Sequence, residues 1–340
     1  MMKVWTRLKR YQPDSNRPLI LAIGNFDGVH TGHQKILKTV LENSKKRNGI
    51  PAILTFAEHP QRVLHPSKGP SLLTSPQHRF IFFSELGIEI CFLLAFTTDF
   101  AKTEPEDFVK KWLVDSLQVK EIHLGHNARF GFNRQGDAQL MKQFAGRFHF
   151  DFYEAPAVIA KGEFVSSSLI RKVIESGDLA RARELLGRPF GILASVVRGS
   201  GRGKSLGFPT ANLRPHSEIL PPSGVYPVEI RVSPFHLKAL MEGEAFDYVR
   251  ETPGEWCPGI LNYGVQPTFE GGKAVAEVHI LDYSGDLYGK TLEIVFYPKL
   301  RDEKKFENKE ALITAMQEDV SRVRQFFSGK ALQKSRSPLY

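Results

Sequence analysis

Up to Leu186 the chain alternates short apolar runs with amphipathic stretches, and beyond Gly187-Arg188-Pro189 it turns almost wholly strand-like. Leu19-Ile20-Leu21-Ala22-Ile23 reads as a buried strand, and residues 34–44 have helical spacing at Ile36, Leu37, Val40 and Leu41. A strand at 52–56, a helix at 76–86 and a strand at 89–95 follow. Thr103-Glu104-Pro105-Glu106 reads as a capping box opening a helix to about residue 117, before a strand at 119–124. Such alternation predicts an α/β domain, a Rossmann-like parallel sheet with helices on both faces. Sheets of this kind bind ligands beyond the carboxyl ends of their strands, so the segments just after strands carry the functional information.

Two short helices, 167–176 and 178–186, end at Gly187, and Gly followed by Pro is a helix stop. Strand-like segments then fall at 190–197, 224–232, 259–263, 274–281 and 290–296, separated by Gly/Pro-rich turns. That spacing predicts an antiparallel β-barrel. A terminal helix over 309–327 carries an apolar stripe of Leu312, Met316, Val320, Val323 and Phe327. The expected organisation is 1–187, 188–330 and a loose tail at 331–340. A length of 340 residues suits two domains, and 41% apolar residues with 25 Phe supply a core for each.

The two cysteines, Cys91 and Cys257, cannot build a disulfide framework or a Cys-rich zinc site, which points to a reducing, cytoplasmic setting. The opening MMKVWTRLKRYQPDSNRP has basic residues without an apolar run behind them, so no signal peptide is expected. Nor does any stretch approach the ~18 apolar residues of a membrane span. The net charge of +9 suits anionic partners, but no zinc-finger spacing, basic heptad helix or aromatic–basic RNA signature accompanies it. Small phosphates rather than nucleic acid are the expected partners, with a monomer as the default state.

Two segments imitate known motifs. Gly199-Ser200-Gly201-Arg202-Gly203-Lys204-Ser205 resembles a P-loop, but Arg198 stands where G-x-x-x-x-G-K-S needs Gly. DYSGDLYGK at 282–290 lacks EF-hand spacing and its terminal Glu, and reads as a turn.

Gly24-Asn25-Phe26-Asp27-Gly28-Val29-His30-Thr31-Gly32-His33 follows the first strand and enters the first helix. Glycines let backbone N–H groups approach a phosphate, and a helix N-terminus favours its charge. His30 and His33, three apart, can face one point and donate to a polyphosphate. A two-histidine metal site is the weaker rival, for want of a third ligand nearby.

This run resembles the signature of the nucleotidylyltransferase domain of bacterial bifunctional riboflavin kinase/FAD synthetases. The resemblance extends through TFAEHP (55–60), FAKTEPEDFV (100–109), LGHNARFG (124–131) and SSSLIR (166–171). It implies that His30 and His33 contact ATP phosphates, and that Gly24, Asn25, Phe26, Asp27, Gly28 and Gly32 form the nucleotide loop. It further implies that Asn127 helps hold a nucleotide or flavin phosphate, and that Ser167, Ser168 and Arg171 handle phosphate as a second motif. The implied reaction needs no general base, because an FMN phosphate oxygen is already anionic when it attacks the α-phosphorus. Ser168 replaces the family's usual Thr, Phe164 a common basic residue, and Ala128 a usual aromatic. These departures open an alternative: an active kinase beside a weakened or inactive adenylyltransferase.

In the second half, Gly203-Lys204-Ser205-Leu206-Gly207-Phe208-Pro209-Thr210-Ala211-Asn212 offers a loop shaped by Gly207 and Pro209, with Thr210 and Asn212 oxygens for Mg²⁺ or phosphate. It resembles the riboflavin kinase signature, supported by GVYPVEI (224–230), PGILNYGVQPTF (258–269), AEVHILDYSGDLYGK (276–290) and LRDEKKF (300–306). The resemblance implies binding of ATP–Mg²⁺ and riboflavin around Gly203, Lys204, Gly207, Pro209, Thr210 and Asn212. Riboflavin's ribityl hydroxyl is neutral, so its phosphorylation calls for a proton acceptor. Glu277, alternating with apolar neighbours, is that base by resemblance, and Arg301 positions flavin or nucleotide. The connection 233–257 is unusually long, and two readings stay open: a cover for the flavin site or a surface insertion. The expected function is thus bifunctional: riboflavin to FMN, and FMN to FAD with release of pyrophosphate.

Overall fold

The structure is a computed structural model and describes residues 2–199, 207–216, 219–233, 245–248, 254–265 and 274–328. Gly203, Lys204 and the tail at 331–340 lie outside the described residues. The chain divides into two compact units. The first runs to Ser167 and takes in the described residues 245–248; the second holds the remaining described residues.

The first unit is built on a seven-stranded sheet of order β12-β1-β4-β3-β2-β5-β6. Its strands are β1 (Met2–Trp5), β2 (Leu19–Ile23), β3 (Ile50–Phe56), β4 (Ile90–Leu94), β5 (Val119–Gly125), β6 (Asp151–Ala155) and β12 (Ala245–Tyr248). All pairings are parallel except β1 with β12. Every residue of β2 is buried, as expected of a parallel strand covered on both faces. The principal core gathers Leu21, Leu54, Phe92, Leu113, Ile122 and Met141 from the strands and the helices that cover them.

Helices α1 (Thr31–Lys46), α2 (Pro60–Leu64), α3 (Pro76–Leu86) and α5 (Ala138–Phe148) connect the strands. The helix expected at 103–117 forms, but differently. It begins as α4 (Pro105–Asp107), with Glu104 and not Thr103 at its N-cap and no side-chain cap bond, and continues π-helical over Phe108–Ser116. The apolar spacing predicts a helix without distinguishing i→i+4 from i→i+5 closure, hence the difference. In α3, six consecutive residues from His78 to Phe83 are buried, so the helix hides all its sides there, including Arg79. A small hairpin, β7 (Ile159–Ala160) with β8 (Glu163–Phe164), precedes α6 (Ser167–Glu175) and α7 (Leu179–Leu186).

The second unit contains a closed six-stranded antiparallel barrel of order β10-β14-β13-β11-β15-β9. The strands are β9 (Gly191–Val197), β10 (Ala211–Pro215), β11 (Gly224–Val232), β13 (Cys257–Val265), β14 (Ala274–Ile280) and β15 (Thr291–Phe296). Closure leaves no free edge. Helix α8 (Lys309–Ser328) packs Val323 and Phe327 against Leu281 and Tyr297. The same helix buries Asp319, which the apolar stripe does not foretell. The predicted α/β domain followed by a β-barrel with a terminal helix is the fold observed.

Of the connection at 233–257, residues 234–244 and 249–253 lie outside the described residues, and the described ones show a strand pairing that the sequence does not announce. Gly254 N–H bonds to the Val232 carbonyl at 3.4 Å, so the excursion leaves and re-enters the barrel at one point. Its described middle, β12, pairs with β1 from Met2↔Tyr248 to Trp5↔Ala245 and buries Tyr248 in the first unit.

Candidate active sites

The loop between β2 and α1 lies beyond the carboxyl end of β2, next to β3 and β5. Three of its residues take left-handed backbone angles: Phe26 (φ 49°), Gly28 (φ 84°) and Val29 (φ 39°). For Phe and Val this conformation is costly, and it persists only where the surroundings impose it. Asp27 does much of the imposing. Its buried carboxylate accepts from the N–H groups of Leu73 and Thr74 at 3.0 Å each, while Thr74 Oγ1 accepts from Gly28 N–H at 2.9 Å. Ser167 Oγ donates to the Asp27 carbonyl at 2.9 Å. Asp27 therefore shapes the loop from behind.

His30 caps α1: its Nδ1 accepts from His33 N–H at 3.3 Å. An accepting Nδ1 puts the proton of a neutral ring on Nε2, which leaves Nε2–H as a donor. The two imidazoles stack with centroids 3.6 Å apart and 18° between planes, and Phe26 meets His33 edge-on at 5.2 Å. A Cβ on Gly32 would come within 3.1 Å of the His30 ring, so glycine is what permits this stack. The expected convergence of His30 and His33 is present, at a helix N-terminus suited to anions.

Asn127 is exposed in the turn after β5, and Ala128 closes that turn through its N–H to Gly125 O while packing on the core. Phe164 is 61% exposed and lies over His126 with centroids 6.0 Å apart. Ser168 is exposed and Arg171 half-buried on α6. Among the cysteines, burial raises the Cys91 thiol to about 12, so it supplies no thiolate near neutral pH.

In the barrel, Glu277 occupies the centre of a three-strand row. It pairs with Asn212 of β10 on one side and Asn262 of β13 on the other. Residues directly opposite on neighbouring strands share a face, so these three side chains issue from the same side of the sheet. Ala276 and Val278 are buried while Glu277 and His279 are half-exposed, which places the row on the outward face. The loop Gly207–Thr210 leads into β10, and His279 Nδ1–H donates to the Pro209 carbonyl at 2.8 Å. Phe208 packs edge-on against the same ring at 5.7 Å. His279 thus ties the loop to the strand that carries Glu277, a contact the sequence reading did not anticipate; its position two residues after Glu277 was the available signal.

Asn212 also explains Gly199. A Cβ there would fall 1.9 Å from Asn212 Nδ2, so the false P-loop opens with a glycine that makes room for this carboxamide. Arg301, expected at the ligand, gives Nε and Nη2 to the buried Asp319 at 3.0 and 2.7 Å and Nη1 to the Asp302 carbonyl. Its guanidinium binds α8 to the barrel. The segment at 282–290 is a turn, with Asp282 held by two bonds from Arg324, and no cluster suited to a metal occurs among the described residues.

Comparison with known proteins follows the same division. The FAD synthetase family matches residues 12–169 and the riboflavin kinase family residues 186–327. The bifunctional riboflavin kinase/FMN adenylyltransferase of Escherichia coli (strain K12) is 33% identical over 308 residues, 91% of this chain and 92% of its own. That of Pseudomonas fluorescens is 34% identical over 325 residues, covering 95% and 97%. A crystal structure described as a macrolide-efflux protein from Streptococcus pneumoniae superposes with a TM-score of 0.76 at 26% identity, covering 94% of this chain and 98% of that one. No helix among the described residues is long and apolar enough to cross a membrane. With both family models matched in order and relatives aligned over more than nine-tenths of each chain, this chain belongs to the bifunctional riboflavin kinase/FMN adenylyltransferase family.

Proposed function

We propose that this chain makes FAD from riboflavin in two steps. The barrel domain, residues 188–330, transfers the γ-phosphoryl group of ATP to riboflavin. The sheet domain, residues 1–187, transfers AMP from a second ATP to the FMN phosphate and releases pyrophosphate. The observation that carries this reading is the difference between the two sites: a carboxylate flanked by two carboxamides in one, a strained loop with a capped histidine pair in the other.

Glu277 accepts the ribityl hydroxyl proton as that oxygen attacks phosphorus. Asn212 and Asn262 present amides on either side of the reacting centre, and the 207–210 loop, with Gly203 and Lys204 before it, borders the nucleotide. Mg²⁺ enters as part of the ATP substrate. Thr210 and Asn212 offer neutral oxygens and no carboxylate cage, which suits an ion held mainly by phosphates and water. Bound there, Mg²⁺ supplies charge neutralisation on the phosphates.

In the sheet domain FMN arrives with its nucleophile already ionised, so the protein aligns and neutralises. His30 Nε2–H and His33 donate to ATP phosphates at the N-terminus of α1, beside the amides of the 24–28 loop. Asn127, Ser167, Ser168 and Arg171 complete the phosphate contacts. Arg301 acts on the kinase reaction by holding α8 in place. The partners are small molecules only, the protein works as a cytoplasmic monomer, and nucleic acid has no part in it.

The test is a product assay: purified protein with riboflavin, ATP and Mg²⁺, followed by separation of FMN and FAD. Sequential appearance of both is expected. Accumulation of FMN with no FAD would leave only the kinase half of the proposal, and consumption of neither flavin would end it.

A further inference from the structure

Arg79 is 4% exposed, and no described carboxylate forms an ion pair with it. Its Nη1 donates to the Asn25 carbonyl at 2.6 Å and to Thr55 Oγ1 at 3.0 Å, and its Nη2 donates to the Phe56 carbonyl at 2.8 Å. Thr55 Oγ1 donates in turn to the same Asn25 carbonyl at 3.1 Å. Nε has no partner among the described residues. One guanidinium therefore holds together the carboxyl ends of β2 and β3, the second residue of the phosphate loop among them.

All of these acceptors are neutral, so the hydrogen bonds hold the group without cancelling its charge. Burial lowers its proton affinity and the more distant Asp27 opposes that shift, but an arginine begins so high that it stays cationic at neutral pH. A buried charge with no carboxylate hydrogen-bonded to it is expensive and calls for compensation. Asp27 supplies it only in part, because its attraction is smaller than the penalty of burial and it makes no hydrogen bond to the guanidinium among the described residues. The loop that Arg79 holds through Asn25 is the one whose strained backbone, helix N-terminus and paired imidazoles suit an anion.

We infer that Arg79 is a positioning residue of the adenylyl-transfer site whose buried charge is balanced by the bound polyphosphate. The inference rests on the nucleotide reading of that loop. Its signature is dependence on phosphate count: the gain in affinity from AMP to ATP comes partly from this cation, whereas a brace without electrostatic reach would affect both nucleotides alike.

The experiment follows FAD formation from supplied FMN by the intact protein, measuring the KM for ATP and the inhibition constants of ADP and AMP. Arg79→Gln keeps donors and removes charge; Arg79→Lys keeps charge and loses the three-oxygen bridge. The Gln variant is expected to raise the ATP constant about tenfold and to flatten the AMP-to-ATP gain. The Lys variant should keep that gain while kcat falls. An unchanged heat-inactivation midpoint of FAD formation in both variants serves as the folding control for this domain, and riboflavin phosphorylation by the same preparations fixes the amount of intact protein. An ATP/AMP ratio in Arg79→Gln equal to that of the parent overturns the inference. If the Gln variant does not accumulate, the Lys variant decides, and loss of the ratio with charge retained overturns it. Failure of the parent itself to form FAD strikes instead at the nucleotide reading of the loop.

Discussion

A proton has to leave the ribityl hydroxyl in one reaction, and none has to leave FMN in the other. Glu277→Gln keeps the shape of the row with Asn212 and Asn262 but cannot accept that proton, so FMN formation should fall by at least about 10²-fold while adenylylation of supplied FMN continues. His30→Ala should do the reverse, slowing FAD formation by about 10²-fold and sparing the kinase. Steady-state rates of both reactions on each variant check the pair; equal losses in both reactions would undo the division of labour. The ten-residue run singles out His30, whereas alternation gives Glu277 only an outward-facing side chain and its role comes from the resemblance of the surrounding motifs. Arg79 has neither signal. It sits in Pro76-Gln77-His78-Arg79-Phe80, where nothing local says that the helix will be buried all round or that two strand ends will meet there.

Among the elements, the loop before β10 is anchored by a neighbour on another strand. The His279–Pro209 bond and the Phe208 ring contact tie it to β14. Loss of one such bond costs about 1 kcal/mol. His279→Ala should therefore reduce kinase kcat/KM several-fold to tenfold, with His279→Asn recovering part of the loss through its amide donor. FAD synthesis from supplied FMN stays unchanged in both; an unaltered kinase in the Ala variant would show that the loop keeps its place unaided. Strands with long apolar or alternating runs, such as β2 and β11, can be read from the sequence nearly to the residue. The elements that escape are those with weak local pattern. β6 is mostly exposed along Asp151-Phe152-Tyr153-Glu154-Ala155, and β12 has only four residues, so each owes its existence to a partner far away in sequence. Likewise nothing near Arg301 in the sequence announces that Asp319, eighteen residues on, is buried against it.

For the whole molecule, the consequential feature is the excursion at 234–253. Its ends meet at Val232 and Gly254, so excising it and closing with a short Gly/Ser turn should leave the barrel and its kinase activity intact. The first unit should suffer instead, since it loses β12 and the cover that Tyr248 gives to Phe80. We expect a lower midpoint for thermal loss of FAD synthesis and self-association through the bared β1 edge, measured by heat-inactivation curves and by sedimentation. A kinase lost along with the adenylyltransferase would mean that the excursion serves the barrel itself.

The outermost strand of the first sheet is thus encoded inside the second domain, after three of the barrel's six strands. During translation Met2–Trp5 emerges from the ribosome at the start and waits until Ala245–Tyr248 has been synthesised before its open side is paired. Until then the nascent chain displays a short sticky border, the kind of surface through which unfinished chains associate.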